Sequence, residues 1–124
     1  CAPFFTDLPQ RIAQAHLVVC RSGASSVSEL SVLGRPSILV PLPGAIDQDQ
    51  AANAKVLEKV GGAWPIRQVD LHPSRLAKEL IRFMDAPEML EAAAKAAKTV
   101  AKPDAVKRLA DLVESVAQNK GVRP

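Results

Sequence analysis

Between residues 17 and 41 the chain passes from an apolar run to a glycine-containing turn, then to helical spacing, then to a second apolar run. Leu17-Val18-Val19-Cys20 reads as a short strand of the buried, parallel kind, and Val27, Leu30 and Leu33 follow at the spacing of one helix face. Gly34 stops that helix, Pro36 forbids its continuation, and Ser37 to Pro41 supplies the next strand. Parallel strands must be joined by a crossover, so the stretch predicts a βαβ unit. Ligands of such sheets sit beyond the carboxyl ends of the strands.

The turn Arg21-Ser22-Gly23-Ala24-Ser25-Ser26 falls at that end. A helix N-terminus leaves backbone N–H groups unpaired and carries the positive end of the helix dipole, which together suit a phosphate. Gly23 lets such a group approach the backbone, because no Cβ stands in the way. Glu29 reads as a carboxylate on the first turn of the helix. A bland reading competes: Ser26-Val27-Ser28-Glu29 has the form of a capping box, whose side chains satisfy helix-end donors and bind nothing. Spacing alone does not choose between the two. Arg21 is open in the same way, either near a diphosphate or in a surface ion pair. The block from Asp47 to Asn53 is the second candidate. A helix starting near Asp47 sets Asn53 three residues after Gln50 on the same side, and Asn53 suits either a ligand or a helix-start backbone group.

Several segments resemble the C-terminal part of the MurG family of bacterial N-acetylglucosaminyltransferases, which convert lipid I to lipid II in peptidoglycan synthesis. They are Pro3-Phe4-Phe5, Asp7-Leu8-Pro9, Ala15 to Val19, Arg21 to Ala24, Val27 to Leu30, Gly34-Arg35-Pro36, Val40 to Pro43, Asp47 to Gln50, Asn53-Ala54 and Gly62-Ala63. The resemblance runs along nearly the whole chain and corresponds to the final part of a typical family member. It implies an α/β fold, a Rossmann-like parallel sheet with flanking helices, forming the C-terminal portion of a GT-B donor-binding domain. Residues 1–124 would then be a partial domain, without its first strands and without the N-terminal acceptor domain.

The resemblance also implies roles. Glu29 matches the glutamate that holds the ribose hydroxyls of UDP, and backbone amides at Ala24, Ser25 and Ser26, in one turn with Ser22 and Gly23, match those that hold the diphosphate. An ionised carboxylate accepts from a vicinal diol, and helix-end amides only donate, so these roles agree with the chemistry. Gln50 with its neighbour Asp49 matches the pair that binds the sugar, although glutamine or histidine is usual where Asp49 stands. Asn53 is the third sugar-side candidate. Gly44 departs from the family, which usually has a histidine there. The implied reaction is an inverting, metal-independent transfer of N-acetylglucosamine from UDP-N-acetylglucosamine to lipid I, with no cofactor. The implied base lies in the other domain, so no catalytic residue is expected in this chain, and the chain alone should bind donor without turning it over. An inner-membrane site on the cytoplasmic face is implied, with roles in cell shape and division.

Composition narrows the classes. The chain is 48% hydrophobic and 23% charged with a net charge of +3, ordinary values for one α/β domain. Aromatics are 3% and tyrosine is absent, so stacking platforms for nucleic acid are lacking. The 16 basic residues are spread among 13 acids. Lys95, Lys98, Lys102, Lys107 and Arg108 suit an anionic membrane surface or, more simply, a solvated helix face. Cys1 and Cys20 are lone thiols, and His16 and His72 have no companion motif, so surface or cap roles are expected and no metal site is.

Elsewhere elements alternate without a linker. Thr6 or Asp7 caps a helix from Pro9 with Ile12 and Ala15 inward, and a helix from about Gln48 carries Ala52, Val56, Leu57 and Val60 to a stop at Gly61-Gly62. Ala63 to Ile66 is a short edge strand, since Pro65 lacks a ladder donor. Leu76, Leu80, Ile81 and Met84 form one apolar face of the next helix. Another helix, capped around Asp85 to Glu88, runs to about Ala101, and a last one from Pro103 turns Val106, Leu109, Ala110, Leu112, Val113 and Val116 inward. Two other classes remain open, a donor-binding subunit of a split glycosyltransferase and a non-catalytic helical interaction domain.

Overall fold

The computed structural model describes residues 7–43, 48–101, 107 and 110–115. In order, it contains α1 (Leu8–Gln14), β1 (Val18–Cys20), α2 (Ala24–Leu33), β2 (Ser37–Leu39), α3 (Gln48–Val60), β3 (Ala63–Pro65), a 3-10 turn (Gln68–Asp70), α4 (Pro73–Asp85) and α5 (Pro87–Lys98). Residues 110–115 are helical. The expectations on Cys1, Pro3 to Thr6, Gly44 to Asp47, Lys102 to Val106, Arg108, Leu109 and Val116 lie outside the described residues.

The strands form a parallel sheet in the order β1-β2-β3, pairing Val18 with Ser37 and Ser37 with Ala63. The ladder continues past the strands: Val40 N donates to Cys20 O at 2.9 Å and Ile66 N to Leu39 O at 2.8 Å. The expected βαβ crossover is therefore present, and Pro65 lies on an edge strand of the described sheet, where its missing donor costs no ladder bond.

Side-chain alternation along β2 feeds two cores. Leu39 packs with Val27, Leu30, Ala54, Leu57, Ala63 and Ala97, on the side of α2, α3 and α5. Ile38 and Val40 face the other way, toward Ile66 and Phe83 of α4. A central strand buried on both faces explains an unbroken apolar run. Gly34 ends α2 in the left-handed region, at φ 66°, as the sequence predicts.

Several expectations need correction. Val19 is 45% exposed, because it lies on the α4 side of the sheet and that layer covers β2 and β3 but not β1. On α4 the buried anchor is Phe83, in tilted contact with Trp64 at 4.4 Å between ring centroids; Ile81 is 58% and Met84 78% exposed. Leu80 is only marginally covered, so the apolar face is rotated toward Leu76 and Phe83. On α3 the inward residues are Ala54 and Leu57, with Ala52, Val56 and Val60 exposed. In the last helical stretch Ala110 and Leu112 are exposed. At the ends, α5 stops at Lys98 instead of Ala101, Ala15 falls just outside α1, and Asp7 caps α1 by position without a side-chain bond to its amides.

Candidate functional site

The carboxyl end of β1 opens into residues 21–23, and α2 begins at once. Gly23 occupies the N-cap with extended backbone and no side-chain cap, and Val27 N donates to Gly23 O at 3.0 Å as the first helical bond. The amides of Ala24, Ser25 and Ser26 therefore precede the helical ladder, aligned with the dipole. A Cβ built on Gly23 would meet nothing within 4 Å, and its φ of −64° is one that any residue adopts. Neither packing nor backbone geometry demands glycine here. The open space is what an approaching anion needs.

The helix start also decides the capping question. Ser26 is the third helical residue and Glu29 the sixth, so they are not the two ends of a capping box, and α2 has no acid in its first turn. Both the capping-box reading and the first-turn placement of Glu29 are thereby corrected. Position N-cap went to glycine because α2 starts three residues earlier than the serine pattern suggests. Glu29 sits instead on the second turn, near enough to Cys20 at the end of β1 for its charge to act on that thiol. Partial burial pushes its carboxyl above the ordinary carboxylate value, and the Cys20 thiol is raised by its own burial and then by the Glu29 charge. Glu29 has no hydrogen-bond or ion-pair partner among the described residues. It is an unneutralised, half-buried acceptor on the same helix as a row of unpaired donors.

The second block is bound to the first. Ser22 is fully buried, and its Oγ donates to the main-chain oxygen of Gln50 at 2.6 Å. Asn53 Nδ2 donates to Ser22 O at 3.1 Å, so Asn53 bonds a backbone group 31 residues away instead of a local one. Gln50 Oε1 accepts from Leu42 N at 2.9 Å. Asp49 is exposed in the first turn of α3. Arg21 takes no carboxylate among the described residues; its Nη1 donates to Val40 O at 3.3 Å and approaches Pro41 O at 3.5 Å, at the end of β2. Every candidate site residue thus falls at the carboxyl end of the sheet. The bracing role of Ser22 was missed, and only its long-range partners reveal it.

His16 and His72 are exposed, and His72 takes the N-cap position of α4. The sequence does contain one Asp-x-Asp, Asp47-Gln48-Asp49, a spacing that suits a divalent cation although no metal site is expected. Asp47 is outside the described residues, and among those described no three His, Cys, Asp or Glu side chains gather.

A parallel sheet with flanking helices and an anion-ready helix start beyond its carboxyl end defines a Rossmann-like fold. Residues 1–109 match the glycosyltransferase family 28 C-terminal domain, and the chain belongs to that family. It is 58% identical over 122 residues to the UDP-N-acetylglucosamine--N-acetylmuramyl-(pentapeptide) pyrophosphoryl-undecaprenol N-acetylglucosamine transferase of Brucella canis, and 57% identical to that of Brucella melitensis biotype 2. Each alignment covers 98% of this chain, which spans 32% of the relative's length. Among solved structures, MurG of Acinetobacter baumannii superposes with a TM-score of 0.75 at 33% identity, over 92% of this chain and 34% of that one. The glycosyltransferase of kitacinnamycin shares the fold at a TM-score of 0.58 and 19% identity, over 94% of this chain and 28% of its own. The expected resemblance and the GT-B C-terminal fold are both borne out.

Proposed function

We propose that this chain is the donor-binding part of an inverting N-acetylglucosaminyltransferase that moves N-acetylglucosamine from UDP-N-acetylglucosamine to lipid I, forming lipid II for peptidoglycan. The observation that carries the reading is the pairing of Glu29, an unsatisfied acceptor, with the unpaired amides of Ala24 to Ser26 beyond β1. The names of the Brucella relatives supply the sugar and the acceptor.

On this reading the amides hold the diphosphate and Glu29 accepts from the ribose hydroxyls. As the glycosidic bond breaks, negative charge grows on the UDP oxygen. Amides already aimed at that charge stabilise it without reorganising. The Arg21 guanidinium, held by two carbonyls and no acid among the described residues, adds positive potential at the same end of the sheet. Gln50, Asp49 and Asn53 line the sugar side. The base that deprotonates the acceptor hydroxyl belongs to another domain. So does the contact with lipid I, from which follow a peripheral position on the cytoplasmic face of the inner membrane and roles in cell shape and division. No helix among the described residues is long and apolar enough to cross a membrane.

The uncovered flank at Val19 supports the partial-domain reading. Beyond β1 the described sheet has no neighbour, and a further strand with its helix would cover that side.

Calorimetric titration with UDP-N-acetylglucosamine, UDP and ADP tests the reading. Both uridine ligands should bind, the sugar nucleotide more tightly, and ADP should be at least tenfold weaker, about 1.4 kcal/mol. Equal binding of ADP and UDP would contradict a uridine site.

A further inference from the structure

Three hydrogen bonds join the three segments that make up the candidate site. Ser22 Oγ to Gln50 O and Asn53 Nδ2 to Ser22 O tie the β1–α2 turn to the start of α3, and Leu42 N to Gln50 Oε1 ties the segment after β2 to the same helix turn. Ser22 is the hub: it is fully buried, its hydroxyl donates and its carbonyl accepts. A hydroxyl so committed is not free to meet a ligand.

The partners also fix which end of each side-chain amide faces inward. A backbone N–H only donates, so Gln50 must turn its oxygen to Leu42; a backbone carbonyl only accepts, so Asn53 must turn its NH2 to Ser22. What remains is Gln50 Nε2, a donor, and Asn53 Oδ1, an acceptor. Neither has a partner among the described residues, and neither is a buried unsatisfied atom. The two residues lie three apart on one side of α3.

We propose that Ser22 is a positioning residue. By gripping the Gln50 backbone and the Asn53 side chain, it sets Gln50 to donate to, and Asn53 to accept from, the oxygens of the donor sugar. A pyranose oxygen with its proton both accepts and donates, so an oriented donor beside an oriented acceptor matches a hydroxyl-bearing ring and offers nothing to bare UDP. The inference rests on the donor-binding reading above and assigns Ser22 to the sugar side of it, acting through α3.

The test uses the full 124-residue chain and the Ser22→Ala and Ser22→Thr variants, each checked for native circular dichroism, with UDP and UDP-N-acetylglucosamine as ligands. Ser22→Ala should lower the preference for the sugar nucleotide over UDP roughly three- to tenfold, the scale of one lost hydrogen bond, and shift UDP affinity less than twofold. Ser22→Thr, which keeps the hydroxyl, should restore the preference; Ser22→Cys replaces it if the extra methyl prevents folding. Equal losses for both ligands would mean that Ser22 serves the diphosphate, and an unchanged preference that the hydroxyl orients nothing; either overturns the proposal. A wild-type chain without any preference overturns the donor-binding reading itself. Amide hydrogen exchange then judges the brace without ligand: Leu42 N–H should exchange several times faster in Ser22→Ala than in wild type, and equal rates overturn the brace.

Discussion

Glu29 carries a charge that the surrounding fold does nothing to satisfy. Its proton is held above the ordinary value of 4.5 by partial burial, so across that window the folded chain binds more proton than the unfolded one. Its contribution is most favourable below the unfolded value and is lost as pH rises through the folded one. Glu29→Gln should therefore stabilise the chain at pH 7, by on the order of a few tenths of a kcal/mol once solvent screening is counted, with the gain vanishing near pH 4. The same variant should weaken UDP binding by about 1–3 kcal/mol, the scale of a lost charged hydrogen bond. Urea unfolding at the two pH values, beside calorimetry, reads both effects; destabilisation at pH 7 with unchanged UDP affinity would give Glu29 a structural role. At this scale the sequence named residues that the fold brings together, but not their partners. Ser22 and Asn53 are engaged with groups 28 and 31 positions away, which no local pattern records.

At the scale of elements, β1, α2 and β2 were legible because apolar runs, Gly34 and Pro36 all agree there. Helix α4 was not. Leu76, Leu80, Ile81 and Met84 make an apolar stripe on paper, yet the helix docks through Phe83 because Trp64 on β3 offers a ring to pack against. Tertiary contact, not the count of apolar residues, chose the face. The choice is measurable: Phe83→Ala should cost about 3–5 kcal/mol, as for a large buried aromatic. Met84→Ala should stay within about 0.5 kcal/mol, as for a surface change. Chemical denaturation of both variants gives the comparison, and a comparable loss at Met84 would mean that the exposed stripe is covered in solution. The boundary of α2 teaches a related point. A serine-rich start offers several equally good caps, and the backbone settled on Gly23, three residues before the serine that opens the presumed box.

For the whole molecule, the order of elements and the end of the sheet where the candidate site residues gather follow from residues 17–53 alone, because a parallel crossover leaves little choice of topology. The exposed flank at Val19 was not legible, since burial there depends on a layer that α4 does not extend over β1. The family match and the superposition with Acinetobacter baumannii MurG agree with the topology. The central claim concerns a place: the diphosphate of a uridine nucleotide is held where α2 begins, with Glu29 on the ribose beside it. Amide NMR of the isotope-labelled chain during a UDP titration tests it most directly. The account predicts the largest shifts at the amides of Gly23, Ala24, Ser25, Ser26 and Glu29, with small ones on α4. Saturable shifts centred elsewhere, or none at these amides while UDP binds, would contradict it.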